Sequence, residues 1–131
     1  MTSHTDDIYG DLPPIGVGQE VPEFKMETYE PSTGSFGEVN LENLKKDGKW
    51  TILVFYPADF TFVCPTEIIQ FSDHASDFAK VDCQVIGASV DSIFVHKEWT
   101  LKDRKVGGLG EMKIPLLADP THAISRRYGA L

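Results

Sequence analysis

The sequence predicts an α/β protein in which helices flank a central sheet, and three observations carry that expectation. Residues 51–56 (TILVFY) and 84–90 (QVIGASV) are apolar without alternation, the pattern of strands covered on both faces. Between them, Ile68, Phe71, Ala75, Phe78 and Ala79 recur at helical spacing. Successive strand–helix–strand units with right-handed crossovers then give a layered structure around parallel strands.

The elements follow in order. Residues 1–20 mix Gly, Pro and acidic residues without periodicity and are expected to form a mobile arm, leaving one domain over residues 21–131. Residues 24–29 and 36–39 flank Pro31, Ser32, Thr33 and Gly34, which predicts a hairpin. A short polar helix is expected over 41–46, stopped by Asp47-Gly48. Residues 51–56 form the central strand, and a helix over 65–80 has Pro65 and Glu67 suited to its first turn. After the strand at 84–90, Asp91 or Ser92 caps a helix containing Phe94, Val95, Trp99 and Leu101. Residues 115–118 make a third parallel strand, and Asp119-Pro120 opens a helix that ends at Gly129.

Composition narrows the function. With 131 residues the chain suits one domain, and its 41 % hydrophobic and 24 % charged content is that of a globular protein. No apolar run approaches the ~18 residues of a membrane helix. The opening MTSHTDDIYG lacks the basic start and apolar core of a secretory signal, so a cytoplasmic location is expected. A formal charge of -8, from 20 acidic against 12 basic residues, works against nucleic acid and anionic lipid as partners. The two cysteines, Cys64 and Cys83, have neither CxxC spacing nor histidines at zinc-site intervals. His4, His74, His96 and His122 form no ligand cluster and read as surface or packing residues.

Cys64 follows the central strand and directly precedes a helix, where open α/β folds place reactive groups. Unpaired N–H groups and the helix dipole stabilise a thiolate there. Thr61 can donate to sulfur while accepting from an O–H group of a bound reactant. Pro57 ends the strand without an amide donor and can shield the sulfur from bulk water. Each residue also has a plainer reading: a small core cysteine, a local cap, a strand terminator. The ordered set Pro57, Thr61, Cys64 and Pro65 after a buried strand favours chemistry at one sulfur and leaves the substrate open.

Residues 57–67, PADFTFVCPTE, resemble the peroxiredoxin active-site signature Pro-x-x-x-Thr-x-x-Cys. The resemblance continues through EIIQFSDHASDF, CQVIGASVDSIFVHKEW, GGLG and IPLLADPTHAISRRYGAL, covering about residues 20 to 131. It points to the typical two-cysteine or alkyl hydroperoxide reductase branch. It implies a thioredoxin-like fold, here lacking the final strands and helix that related proteins carry after the YGxL segment. It also implies a thiol-dependent peroxidase of antioxidant and cell-redox type, reducing hydrogen peroxide and organic hydroperoxides through a cysteine sulfenic acid. Carried over residue by residue, Cys64 is the peroxidatic cysteine, Thr61 and Pro57 its pocket partners, and Glu67 a supporting acceptor. No metal, haem or flavin cofactor is required. A thioredoxin-like or other thiol reductant and a homo-oligomer, a dimer or ring of dimers, are the implied partners.

The active-site arginine and the resolving cysteine of the family have no counterpart in the sequence. Arg126 and Arg127 do not match the arginine's motif and are expected to form surface salt bridges. A helix of ~16 residues between Cys64 and Cys83 is ~24 Å long, whereas a disulfide needs Cα atoms within ~7 Å, so the two cannot pair without unfolding. Cys83 instead reads as a core residue of its strand. The GGLG run at 107–110 reads as a flexible glycine turn or as a regulatory loop. A thioredoxin-type oxidoreductase would need a second cysteine where Glu67 stands. A non-enzymatic chain acting as holdase or assembly component through an exposed apolar edge is the stronger alternative.

Overall fold

The computed structural model describes residues 13–59 and 65–130. Strands β1 (Lys25–Glu30) and β2 (Ser35–Asn40) form the expected hairpin, with Lys25 opposite Asn40 and Glu30 opposite Ser35. Helix α1 (Leu41–Lys46) starts where the Asn40 side chain accepts from the Asn43 N–H at 2.8 Å. Strand β3 (Trp50–Phe55) precedes helices α2 (Pro65–Asp73) and α3 (Ala75–Lys80), followed by β4 (Cys83–Ser89) and α4 (Ile93–Leu101). A 3-10 turn (Arg104–Val106), β5 (Leu116–Ala118) and α5 (Ala123–Arg127) complete the order.

The sheet runs β2-β1-β5-β4-β3, with β3, β4 and β5 parallel and the hairpin joined antiparallel through β1. Side-chain alternation divides the core between its two faces. Val85 and Leu116 pack on one face with Tyr56, Ile68, Trp99 and Ile114, backed by Phe71 and Phe78 from α2 and α3. Ile86, Ala88 and Leu117 pack on the other with Phe24 and Ile124, backed by Leu41 and Leu44 of α1. The unbroken apolar run of β4 thus serves two cores, and the second half of β3 packs partly against both through Val54 on one face and Leu53 and Phe55 on the other, while Trp50 and Ile52 are exposed.

Five expectations change. The strand expected to be central, β3, lies at the edge of the sheet among the described residues and pairs with β4 alone. The helix over 65–80 breaks at His74, which leaves the helical region (φ -99°, ψ 12°) while its carbonyl accepts from the Asp77 and Phe78 N–H groups at 3.0 and 3.1 Å. Phe71 and Phe78 still stack, with centroids 5.9 Å apart, so both halves face the sheet. The break removes the premise of a straight ~24 Å span between the cysteines; Cys83 itself is free, buried and the first residue of β4, as a core residue should be. Residues 13–20, assigned to the arm, have no helix or strand but are tied to α5: the Ile15 N–H donates to the Arg127 carbonyl at 2.9 Å. Arg127 in turn donates to the Pro13 carbonyl, and among the described residues neither Arg126 nor Arg127 makes the surface salt bridge expected of it.

The GGLG turn is tightly held. The Trp99 indole donates to the Gly107 carbonyl at 3.0 Å, the Leu109 N–H to the Trp99 carbonyl at 3.0 Å, and Arg104 Nε to the Leu109 carbonyl at 2.7 Å. A Cβ on Gly108 would lie 2.2 Å from the Lys102 carbonyl oxygen, so only glycine fits this close backbone approach. Gly108→Ala is expected to lower stability by ~1–3 kcal/mol through forced backbone displacement. Leu116→Ala, which empties a fully buried site on the sheet face shared with Val85, Ile68 and Trp99, should cost ~2–5 kcal/mol. Urea unfolding midpoints of the two variants check both values.

Candidate active site at the carboxyl ends of the parallel strands

Parallel pairing of β3, β4 and β5 brings their carboxyl ends to one side of the sheet. Backbone bonding continues just past them: the Tyr56 N–H donates to the Ala88 carbonyl at 2.9 Å and the Asp119 N–H to the Ser89 carbonyl at 2.8 Å. Of the predicted site residues, Pro57 and Glu67 are described, whereas Thr61 and Cys64 lie outside the described residues. Pro57 follows directly on β3 and, with Tyr56, Ser89 and Val90, lines a cleft of about 510 Å³ at this edge. Glu67 sits in the first turn of α2 and is exposed. In sequence, Cys64 immediately precedes Pro65, the first residue of that nine-residue helix.

Beneath the exit of β3 lies a buried polar network that the sequence reading did not anticipate. The Asp59 side chain is fully buried; Oδ1 accepts from the Tyr56 hydroxyl at 2.7 Å, and Oδ2 lies 2.6 Å from His96 Nδ1. The other ring nitrogen, His96 Nε2, donates to the Leu117 carbonyl at 3.0 Å. The Asp59 N–H donates to Asp91 Oδ2 at 2.6 Å, and the same oxygen accepts from the Ser89 hydroxyl at 3.0 Å.

Because Nε2 faces a carbonyl, which only accepts, it carries a proton. On its other side the ring meets the Asp59 side chain along the short Nδ1–Oδ2 contact. Burial, and next the Asp59 charge and hydrogen bond, push the Tyr56 phenol well above its ordinary pKa of 10.0. It therefore acts as a hydrogen-bond donor and not as a base.

The sequence reads His96 as a surface or packing residue, and its fully buried ring sits on the packing side of that reading. Its sequence neighbours hold a signal: Ile93, Trp99 and Thr100, three or four positions away on the same helix, are also buried. Nothing in the sequence marks Asp59 as its partner. A second buried carboxylate, Asp119, caps α5 by accepting from the Ser125 N–H at 2.8 Å, the Ser125 hydroxyl at 2.6 Å and the Ile124 N–H at 3.3 Å. Among the described residues, no group of three His, Cys, Asp or Glu side chains could hold a metal ion, and no helix is long and apolar enough to cross a membrane.

Comparison with known proteins gives a consistent picture. The model of the AhpC/TSA family matches residues 17–131. The chain is 51 % identical over 115 residues to a peroxiredoxin of Cynops pyrrhogaster, covering 88 % of this chain and 56 % of that one. The same identity and coverage hold for peroxiredoxin-2 of Mus musculus. The chain thus spans little more than half the length of these curated relatives. Its fold is similar to the crystal structure of the reduced 2-Cys peroxiredoxin of Plasmodium vivax, with a TM-score of 0.83 and 43 % identity, covering 88 % of this chain and 69 % of that one. It is also similar to AhpC of Enterococcus faecalis, with a TM-score of 0.77 and 38 % identity, covering 86 % of this chain and 64 % of that one. The thioredoxin-like, helix-flanked sheet expected from the sequence is thereby established.

The network makes a prediction about alkaline pH. The unfolded chain ionises Tyr56 near pH ~10, whereas the folded chain keeps the phenol protonated beyond it, so the folded state binds the extra proton. Stability contributed by this group is complete below ~10 and falls as pH rises above it. A phenolate absorbance titration of the folded protein should contain a late-ionising phase that vanishes in Tyr56→Phe.

Proposed function

The chain belongs to the AhpC/TSA family, and from that premise we propose that it is the peroxide-reacting part of a thiol-dependent peroxidase that reduces hydrogen peroxide and organic hydroperoxides. The observation that carries this reading is the match over residues 17–131, which includes Pro57, Thr61 and Cys64 between a parallel strand and the start of α2. Residues 21–131 are the catalytic domain of this proposal.

Chemically, the Cys64 thiolate attacks the terminal oxygen of the hydroperoxide. The S–O bond forms as the O–O bond breaks, and the leaving oxygen takes a proton to depart as water or an alcohol. Sulfur is oxidised by two electrons to the sulfenic acid, and the peroxide is reduced by two. The positive end of the α2 dipole, directly after Cys64 in sequence, favours the thiolate, which is the attacking form. Thr61 orients the peroxide, Pro57 limits water at the entrance, and Glu67 is a supporting acceptor. A thiol of a thioredoxin-like or other reductant attacks the sulfenic sulfur, releasing water and forming a mixed disulfide. A second thiol then frees Cys64.

The same reading includes self-association into a dimer or ring of dimers, and action in the cytoplasm. Among similar solved structures, Prx1a of Plasmodium yoelii modified at its N-terminus forms an artifactual octamer. No described feature favours the holdase alternative.

Intact mass after a slight excess of hydrogen peroxide, with a sulfenic-acid trap, tests the proposal on the parent chain and on Cys64→Ser and Cys83→Ser. Rapid trapping that vanishes in Cys64→Ser and persists in Cys83→Ser is expected. Slow oxidation, equal at both cysteines, would show that this chain is not a peroxidase by itself.

A further inference from the structure

We propose that Asp91 and His96 are positioning residues that clamp Asp59 and thereby set the reactivity of Cys64. The inference rests on Cys64 being the reacting thiol. Asp59 is the last described residue before the chain enters the segment carrying Thr61 and Cys64. It is held at three points: its N–H donates to Asp91 Oδ2 at 2.6 Å, Oδ1 accepts from Tyr56 at 2.7 Å, and Oδ2 meets His96 Nδ1 at 2.6 Å.

These holds come from different elements. Tyr56 leaves β3, Asp91 follows β4, and His96 belongs to α4 and is braced by the Leu117 carbonyl of β5. One loop residue is therefore fixed against all three parallel strands and the helix that covers them. Both ring nitrogens of His96 are engaged, so His96 has no nitrogen left for substrate and reaches the loop through its contact with Asp59.

A purely stabilising role is a weak explanation for such a group. A buried ion pair is often replaceable by apolar side chains without loss of stability. What apolar contacts do not supply is the fixed direction of three short hydrogen bonds on one residue. That direction matters where a reacting sulfur lies five residues further on, since misplacing a reacting group by ~1 Å can cost ~100-fold in rate.

The test uses His96→Gln, Asp91→Ala and Asp91→Asn in a Cys83→Ser background, so that Cys64 is the only thiol. Two properties are read in variants shown to be folded by thermal melting: the apparent Cys64 pKa, from the pH profile of iodoacetamide alkylation, and the rate of oxidation by hydrogen peroxide. For His96→Gln and Asp91→Ala the thiol pKa should rise toward the ~8.5 of a free cysteine, and the peroxide rate should fall ~10–100-fold. Asp91→Asn, which keeps an acceptor for the Asp59 N–H, should recover most of the lost rate. A folded His96→Gln or Asp91→Ala protein with both properties within twofold of the parent would overturn the proposal. Asp91 is half-buried, so Asp91→Ala decides the matter if His96→Gln does not fold. A parent Cys64 no faster with peroxide than a free thiol would remove the peroxidase reading alone, because the alkylation profile still tests the clamp.

Discussion

Strand β4 has partners on both sides, with β3 and β5 parallel to it, and apolar layers on both faces. Water cannot reach its amides and carbonyls, so each must find its partner within the sheet. This fixes the register from the Trp50–Cys83 pair to the Phe55–Ala88 pair on one side and from Gly87–Leu116 to Ser89–Ala118 on the other. A shift of one residue would exchange the two cores, turning Val85 and Leu116 toward the partners of Ile86 and Leu117. The hairpin, the helices and the loops at the strand ends take their positions from this frame.

The frame also explains where polar groups can be buried. At the carboxyl ends of the strands, backbone pairing finishes and loops depart in different directions, so side chains take over the bonding. Asp119 does so for the start of α5, and Asp59, Asp91 and Ser89 do so for the turns after β3 and β4. The network is local to that side; elsewhere the two cores are apolar, and the buried Thr28 of β1 bonds locally by donating to the Glu30 side chain at 2.8 Å. Burial, and next the Asp59 carboxylate, keep the proton on Tyr56, and His96 sits with one nitrogen on that carboxylate and the other on a carbonyl.

The parts of the fold legible in the sequence are those fixed by side-chain pattern. The apolar runs at 51–56 and 84–90, the glycine-bearing turn between β1 and β2, and the serine cap of α4 all emerge where their residues indicate. The family motif also marks the carboxyl end of β3 as the place to look. The break at His74 is illegible because neither proline nor glycine marks it and the apolar spacing continues through it, from Phe71 to Phe78. The clamp on Asp59 is illegible for another reason. Its members are 32 and 37 residues apart in the chain and meet only because β3, β4 and α4 are stacked. Short-range periodicity carries no information about such a meeting.

The two tryptophans lie in opposite environments: Trp50 opens β3 with 78 % of its surface exposed, whereas Trp99 is completely buried. An aqueous quencher in contact with the folded chain therefore reaches one indole and leaves the other emitting. Trp99 also packs against the Tyr56 ring at 5.8 Å, while the hydroxyl of that ring holds Asp59. The surviving emission consequently comes from a core residue one ring away from the loop that leads to Cys64. The protein carries its own optical probe of that loop, with no dye to attach and no cysteine to consume.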